Sequence, residues 1–199
     1  MKKTLIIIPA RSGSKGLKNK NVLKIKNKPL VELTISTAKK LKFPNEIYVS
    51  TDDDRIIKIA EKNSLKINFK RPKKLSLDTT PTSEVVIHAL NFYKKINKTY
   101  PNFFVLMQPT SPFRSPKEIT NIFKKFIKSK KKTLVSVSDV IHHPSEYILI
   151  KSKKLKYLMN KKSAQRRQDF KKVYFENGSV YAGETKYFLK AKKFVNESS

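Results

Sequence analysis

Cysteine is absent from the 199-residue chain, so neither a disulfide framework nor a thiolate metal site or nucleophile is available to it. Long apolar runs are missing too. The first one, Leu5 to Ile8, is too short for the core of a secretory signal and has no small-residue cleavage site behind it. Nothing approaches the ~18 apolar residues of a membrane span. These absences predict a cytoplasmic protein with no membrane partner. Acidic residues are scarce, 15 against 45 basic ones, which gives a formal net charge of +30. Arginine is scarce as well: 6 of the basic residues are Arg and 39 are Lys. Phosphate and base recognition in nucleic acids draws on arginine's planar fork. The lysines here alternate with Ile, Leu and Asn along the chain, a skew that reads as A-rich codon usage on solvated faces. A specific nucleic-acid partner is therefore disfavoured, while the positive field would draw in anionic substrates. There is no internal repeat and no Gly/Ser linker, and the length suits a single domain over 1–199.

What is present alternates in period. Thr4–Ile8 is a continuous apolar run that suits a buried parallel strand. Pro29 fits the first turn of a helix carrying Leu30, Val31, Leu33, Ala38 and Leu41. Residues 46–50 predict a second strand, 53–63 a helix with acids at its start, and 65–69 a short third strand. A helix from about Glu84 to Lys95 follows, with Val85, Val86, Ala89, Leu90 and Phe92 as its core stripe. Residues 103–107 predict a strand, 116–128 a helix capped by Ser115 with Pro116 first, and 133–139 a fifth strand. Beyond Asp139, "EYILIKSKKLKYLM" alternates as a hairpin or protruding arm, and "RRQDFKKVYFENGSVYAG" reads as a loop feeding a last strand. Strands separated by helices predict a three-layer α/β/α, mostly parallel sheet. In such sheets ligands bind beyond the carboxyl ends of the strands. The segments "PARSGSKGLKNKN", "STDDD" and "QPTSPFR" would share that edge.

The first of these segments suits a polyanion. Gly13 and Gly16 allow close backbone approach and convergent N–H groups. Ser12 and Ser14 add hydroxyls, and Arg11, Lys15 and Lys20 add charge for a triphosphate and a departing pyrophosphate. The spacing is neither GxxxxGK[ST] nor GxGxxG, so the residues alone leave a solvated turn as the competing reading. Asp52–Asp54 suit either a helix cap or metal ligands, with capping favoured. His142 and His143 lack a third ligand at metal spacing and read as loop or interface residues. Arg166 and Arg167 read as functional because arginine is rare here. Tyr147 and Tyr157 read as packing of the arm.

The wording of the segments is less generic than their chemistry. "IIIPARSGSKGLKNKN", "VSTDDDRI", "KRPKKLSLDTTPTSEVVIHAL", "LMQPTSPFR" and "RRQDFKKVYFENGSVY" run in order from residue 4 to about 183. Together they resemble the acylneuraminate (sialic acid) cytidylyltransferase family. The resemblance implies a nucleotide-diphospho-sugar transferase (Rossmann-like) fold with a protruding β-arm. It also implies transfer of CMP from CTP to a nine-carbon acidic 2-keto-3-deoxy sugar, with release of pyrophosphate. Arg11, Lys15 and Lys20 become candidate catalytic cations. Ala10, Ser14, Asn21, Arg71, Thr82 and Ser83 join Arg11 and Lys15 as nucleotide-binding positions. Gln108, Thr110, Ser111 and Arg114 match the floor between cytidine and sugar. Arg167, Gln168, Asp169, Asn177 and Tyr181 match the sugar side, where an arginine would pair with the sugar's carboxylate. The resemblance further implies Mg2+ and a homodimer whose arm spans roughly 140–165.

Two departures from the family pattern bear on function. Ser145–Glu146 replace the family's lysine or aromatic after "HHP", which leaves legionaminic, pseudaminic and Kdo-type acids open as alternative sugars. The family's closing acidic motif, of the kind "DIDT", is absent before Ser199, so no metal ligand is assigned. Asp52, Asp53 and Asp169 are the nearest carboxylates by strand-end logic. The sequence predicts a chain that binds CTP through its first loop but is a weak or dead catalyst, with an impaired homologue and a basic nucleic-acid binder as the rival readings.

Overall fold

The computed structural model describes residues 3–13, 16–159, 167–195 and 199. The side chain of Arg167 also lies outside the described set. The chain divides into two units, residues 1–136 with 178–199, and residues 137–177.

The first unit is built on strand β1 (Thr4–Pro9). Its apolar run is continuous because both of its faces are covered. Ile6 and Ile8 enter one cluster and Leu5 and Ile7 the other, all without solvent exposure. A two-residue hairpin, β2 (Lys24–Ile25) and β3 (Lys28–Pro29), turns through Lys26 and Asn27 at φ of 46° and 65°. Helix α1 (Leu30–Lys39) follows. Pro29 is thus the residue before the helix, paired in β3, and not in its first turn. Next come β4 (Asn45–Ser50) and α2 (Asp54–Lys62). Helix α3 runs Thr82–Asn97, two residues earlier than the apolar pattern suggests, so Thr82 and Ser83 lie in its first turn. Then come β5 (Phe103–Leu106), α4 (Pro116–Lys128) and β6 (Thr133–Asp139). Ser115 caps α4, its side chain accepting from Glu118 N–H, with Pro116 in the first turn.

The five-stranded sheet has the order β4-β1-β5-β9-β6, where β9 is Tyr174–Glu184. β4, β1 and β5 are parallel, and β9 pairs antiparallel to β5. Core residues of α1, α2 and α4 pack on one face, and those of α3 and of α5 (Thr185–Ala191) on the other. That gives the expected α/β/α layering. Residues 65–69 do not form the third strand: among the described residues they join no ladder. Within β9, Gly183 sits opposite Phe104, and a Cβ there would lie 2.8 Å from the Phe104 ring. No helix among the described residues is long and apolar enough to cross a membrane.

In the second unit, β7 (Ile148–Lys151) and β8 (Lys154–Tyr157) form the expected hairpin. Ser152 and Lys153 turn it at φ of 50° and 60°.

Candidate functional site

The registers Pro9↔Ser50 and Ile7↔Leu106 bring the carboxyl ends of β4, β1 and β5 level. The three unusual segments of the sequence therefore leave the sheet at one edge. There the first and third of them line a cavity of about 380 Å³, together with residues 71–85, while no residue of "STDDD" lines it. From the opening loop come Arg11, Gly16, Lys20 and Asn21; from the segment after β5 come Gln108, Pro109 and Thr110. Arg71, Asp78, Thr80 and Thr82 complete the polar lining, while Leu75, Leu77 and Val85 add apolar wall. Of the lining side chains Arg11, Lys20 and Arg71 are cationic and Asp78 alone is anionic, so the cavity is net positive.

Arg71 is the most constrained of these cations. It is 4% exposed, and its Nη2 donates to Ser50 O at 2.6 Å while its own backbone N donates to Thr51 O at 2.7 Å. Its Nε is buried and has no hydrogen-bond partner among the described residues. Burial, partly offset by Asp52 and reinforced by Arg11, pulls its pKa down from the usual arginine range to about 10, which still leaves it charged at neutral pH. A buried cation with an unmet donor in a cavity wall fits an anionic or carbonyl ligand. Burial first, then the charges of Arg71 and Lys74, lower the pKa of His88, whose ring meets Phe69 edge-on at 4.9 Å.

Other candidates serve the frame of the site. Asn21 Nδ2 donates to Arg11 O at 3.0 Å and closes the base of the opening loop. Arg11 forms an ion pair with Asp78. Arg114 is buried and donates from Nε to Ser179 O at 2.7 Å, from Nη1 to Thr34 Oγ1 at 3.4 Å, and from Nη2 to Gln108 O. It thus ties β9, α1 and the end of β5 together, and burial lowers its pKa to about 10. Ala10 is fully buried and pairs its N–H with Ser50 O. Ala10, Ser83, Ser111 and Arg114 do not line the cavity. Ser14 and Lys15 lie outside the described residues, as does Arg166.

Tyr181 packs its ring against Phe194 at 5.1 Å, on the α3/α5 side of the sheet. Gly178 holds φ of +67°, a conformation that suits glycine in "ENG". On the second unit, Gln168 and Asp169 are exposed in a short 3-10 turn, and Asn177 donates to Ser138 Oγ at 2.8 Å. There, His143 stacks on Phe170 at 4.5 Å and accepts from Ser145 N–H, a loop role.

Sequence reasoning passed over Asp78, although it sits inside the quoted "LSLDTTPTSE". The available signal was a lone acid in a basic motif. It also offered Asp52–Asp54 as caps or metal ligands. Asp53 does cap α2, accepting from Arg55 N–H at 3.0 Å. Asp52 does neither; it accepts two bonds from Ser12. No group of three or more His, Cys, Asp or Glu among the described residues could hold a metal ion. The one carboxylate of the cavity is engaged by Arg11. The described donor set therefore does not fit a protein-borne magnesium centre.

A cytidylyltransferase family profile matches residues 5–196. The chain is 30% identical over 188 residues to a pseudaminic acid cytidylyltransferase of Campylobacter jejuni, covering 94% of this chain and 81% of that protein. It is 32% identical over 199 residues to a CMP-N,N'-diacetyllegionaminic acid synthase of Legionella pneumophila, covering 97% and 83%. Against an N-acylneuraminate cytidylyltransferase of Escherichia coli it is 32% identical over 204 residues, covering 99% of this chain and 46% of that one. Among solved structures, a CMP:2-keto-3-deoxy-manno-octonic acid synthetase complexed with CTP superposes with a TM-score of 0.67 at 16% identity, over 98% of this chain and 79% of that one. That likeness concerns the fold.

Proposed function

The chain belongs to the cytidylyltransferase family and is a nucleotidyltransferase, and on that premise we propose that it transfers CMP from CTP to a nine-carbon acidic 2-keto-3-deoxy sugar. The observation that carries this reading is the net-positive cavity at the strand ends, with the buried, part-unsatisfied Arg71 in its wall. The sugar's anomeric hydroxyl oxygen attacks the α-phosphorus of CTP. The bond from that phosphorus to the bridging oxygen of the β-phosphate breaks, pyrophosphate leaves, and the hydroxyl proton passes to solvent. The chain's contribution is to hold the triphosphate and neutralise the charge that grows on the departing pyrophosphate. Arg11, Lys15 and Lys20 are assigned to that task, and Arg71 with Asn21 and Thr82 to the nucleotide. Arg167, Gln168 and Asp169 are assigned to the sugar, with the arginine as partner of its carboxylate.

Mg2+, which the family resemblance implies, would add its charge to that of Arg11, Lys15 and Lys20 on the phosphates; no carboxylate cluster among the described residues is assigned to hold it. The hairpin β7–β8 exposes Ile148, Leu149, Ile150 and Leu155, an apolar surface that supports a homodimer. We assign the protein to the cytoplasm, where CTP is supplied. Pyrophosphate release is the test: CTP with neuraminic-, legionaminic-, pseudaminic- or Kdo-type acids, magnesium present. Release with at least one nine-carbon acid is expected. Silence with all of them, from a folded preparation that binds CTP, would sink the assigned substrate class.

A further inference from the structure

The acids at the start of α2 grip the opening loop at both of its stems. On the outgoing stem, Ser12 donates twice to Asp52, from its backbone N to Oδ1 at 2.9 Å and from Oγ to Oδ2 at 2.6 Å. On the returning stem, Asn19 Oδ1 accepts from Arg55 Nη2 at 2.9 Å. Arg55 is itself held by Asp53, with Nε to Oδ1 at 3.0 Å and Nη2 to Oδ2 at 2.6 Å. Asp53 is nearly buried and fixed as the helix cap, so this end of the linkage is rigid. Asn19 sits at φ of 57°, a left-handed turn that Asn tolerates and that starts the 3-10 turn carrying Lys20 and Asn21.

We propose that Asp52 and the Asp53–Arg55 pair are positioning residues for the opening loop, tying Ser12 and Asn19 to α2 so that the two stems meet the phosphates already ordered. This rests on the loop's reading as a phosphate-binding element. The physical gain is preorganisation: a loop free at both stems would have to lose that freedom at each binding event, at the expense of affinity. The arrangement also accounts for carboxylates beside a basic site. Both oxygens of Asp52 are engaged by Ser12 and both of Asp53 by Arg55, so neither faces a polyanion unpaired.

The test uses the full chain carrying Asp52→Ala, Ser12→Ala, both together, or Arg55→Ala. Titration calorimetry with CTP and with cytidine is paired with hydrogen exchange of the loop amides in the unliganded protein. Asp52→Ala should weaken CTP about tenfold or more, the scale of a lost charge-assisted bond. It should leave cytidine affinity alone and speed exchange at Ser12. Adding Ser12→Ala to it should change little, because the two residues act as one contact. Arg55→Ala should act in the same sense through Asn19. Wild-type CTP affinity and wild-type exchange in folded Asp52→Ala would overturn the proposal. Ser12→Ala, which removes only a hydroxyl donor, decides the matter should Asp52→Ala not fold. A wild-type chain that binds no CTP would instead refute the nucleotide reading, and the exchange comparison would still judge the tether.

Discussion

Replacing Arg71 by Met should leave the fold standing and remove most of the activity. Holding this arginine's pKa down at about 10 costs the folded chain about 3 kcal/mol at neutral pH. The sign follows from linkage: a base whose folded pKa is lowered carries its full cost below that pKa, and is relieved only as pH rises above about 10 toward the ordinary arginine range. Methionine removes this cost and keeps an unbranched stem in the same space. What it loses structurally is small. Ser50 O keeps the N–H of Ala10 at 2.9 Å, and the Arg71 bond to Leu75 O is long at 3.4 Å. Two net hydrogen bonds amount to about 1–3 kcal/mol, so the two effects nearly cancel and Tm should stay close to wild type. The nucleotide loses a fixed cation and an aimed donor, worth about 2–4 kcal/mol in comparable sites. That is about 30- to 1,000-fold in kcat/KM. Arg71→Lys keeps the charge without the fork and should fall between the two. Steady-state pyrophosphate release beside thermal unfolding reads both quantities. Full kcat/KM in Arg71→Met, or a fall in Tm large enough to explain the lost activity, would refute the reasoning.

Three further outcomes follow from the same structure. CTP should bind more tightly than ATP or GTP, as membership of the cytidylyltransferase family implies and as a base site sized for a single ring would require; equal or tighter ATP binding by calorimetry would contradict it. The side-chain bond from Arg55 holds the pKa of Asp53 below 3.8, and the bonds from Ser12 do the same for Asp52 against the opposing pull of burial. Depressed carboxylates stabilise fully above their unfolded pKa and lose that contribution as pH falls below it. Urea midpoints should therefore drop below about pH 4, and Asp53→Asn should flatten that drop while keeping the cap. Gly183→Ala should destabilise by about 1–3 kcal/mol, because its Cβ would meet the Phe104 ring at 2.8 Å with β5 and β9 registered on either side; an unchanged Tm would contradict the close approach.

Local pattern was enough for some elements and not for others. β1 and β5 were legible because strands covered on both faces are apolar without interruption, and α4 because Ser115 and Pro116 mark its start. The hairpin β7–β8 was legible from its alternation. Residues 65–69 carry the same apolar alternation, yet among the described residues they find no neighbouring strand. Instead they lead Phe69 into the α3 cluster and bring Arg71 N–H to Thr51 O. The entry of β9 between β5 and β6 depends on pairing across some eighty residues, which no local period reports. The cavity's position was legible from the strand-end rule and its cations from the motifs. Its internal wiring was not: Arg11 with Asp78, Ser12 with Asp52, and Arg114 with Ser179 join residues far apart in the chain. Only the fold reveals that Asp52 of "STDDD" bonds the loop.

The reaction class is tested most directly by following the phosphorus. Two parallel incubations with an acidic nine-carbon sugar would use CTP labelled at the α-phosphorus in one and at the γ-phosphorus in the other. The account expects α-label in a new sugar-linked species and γ-label only in pyrophosphate. Transfer of γ-label to the sugar, or retention of all α-label in CTP with a sugar panel that includes the neuraminic, legionaminic and pseudaminic types, would contradict it.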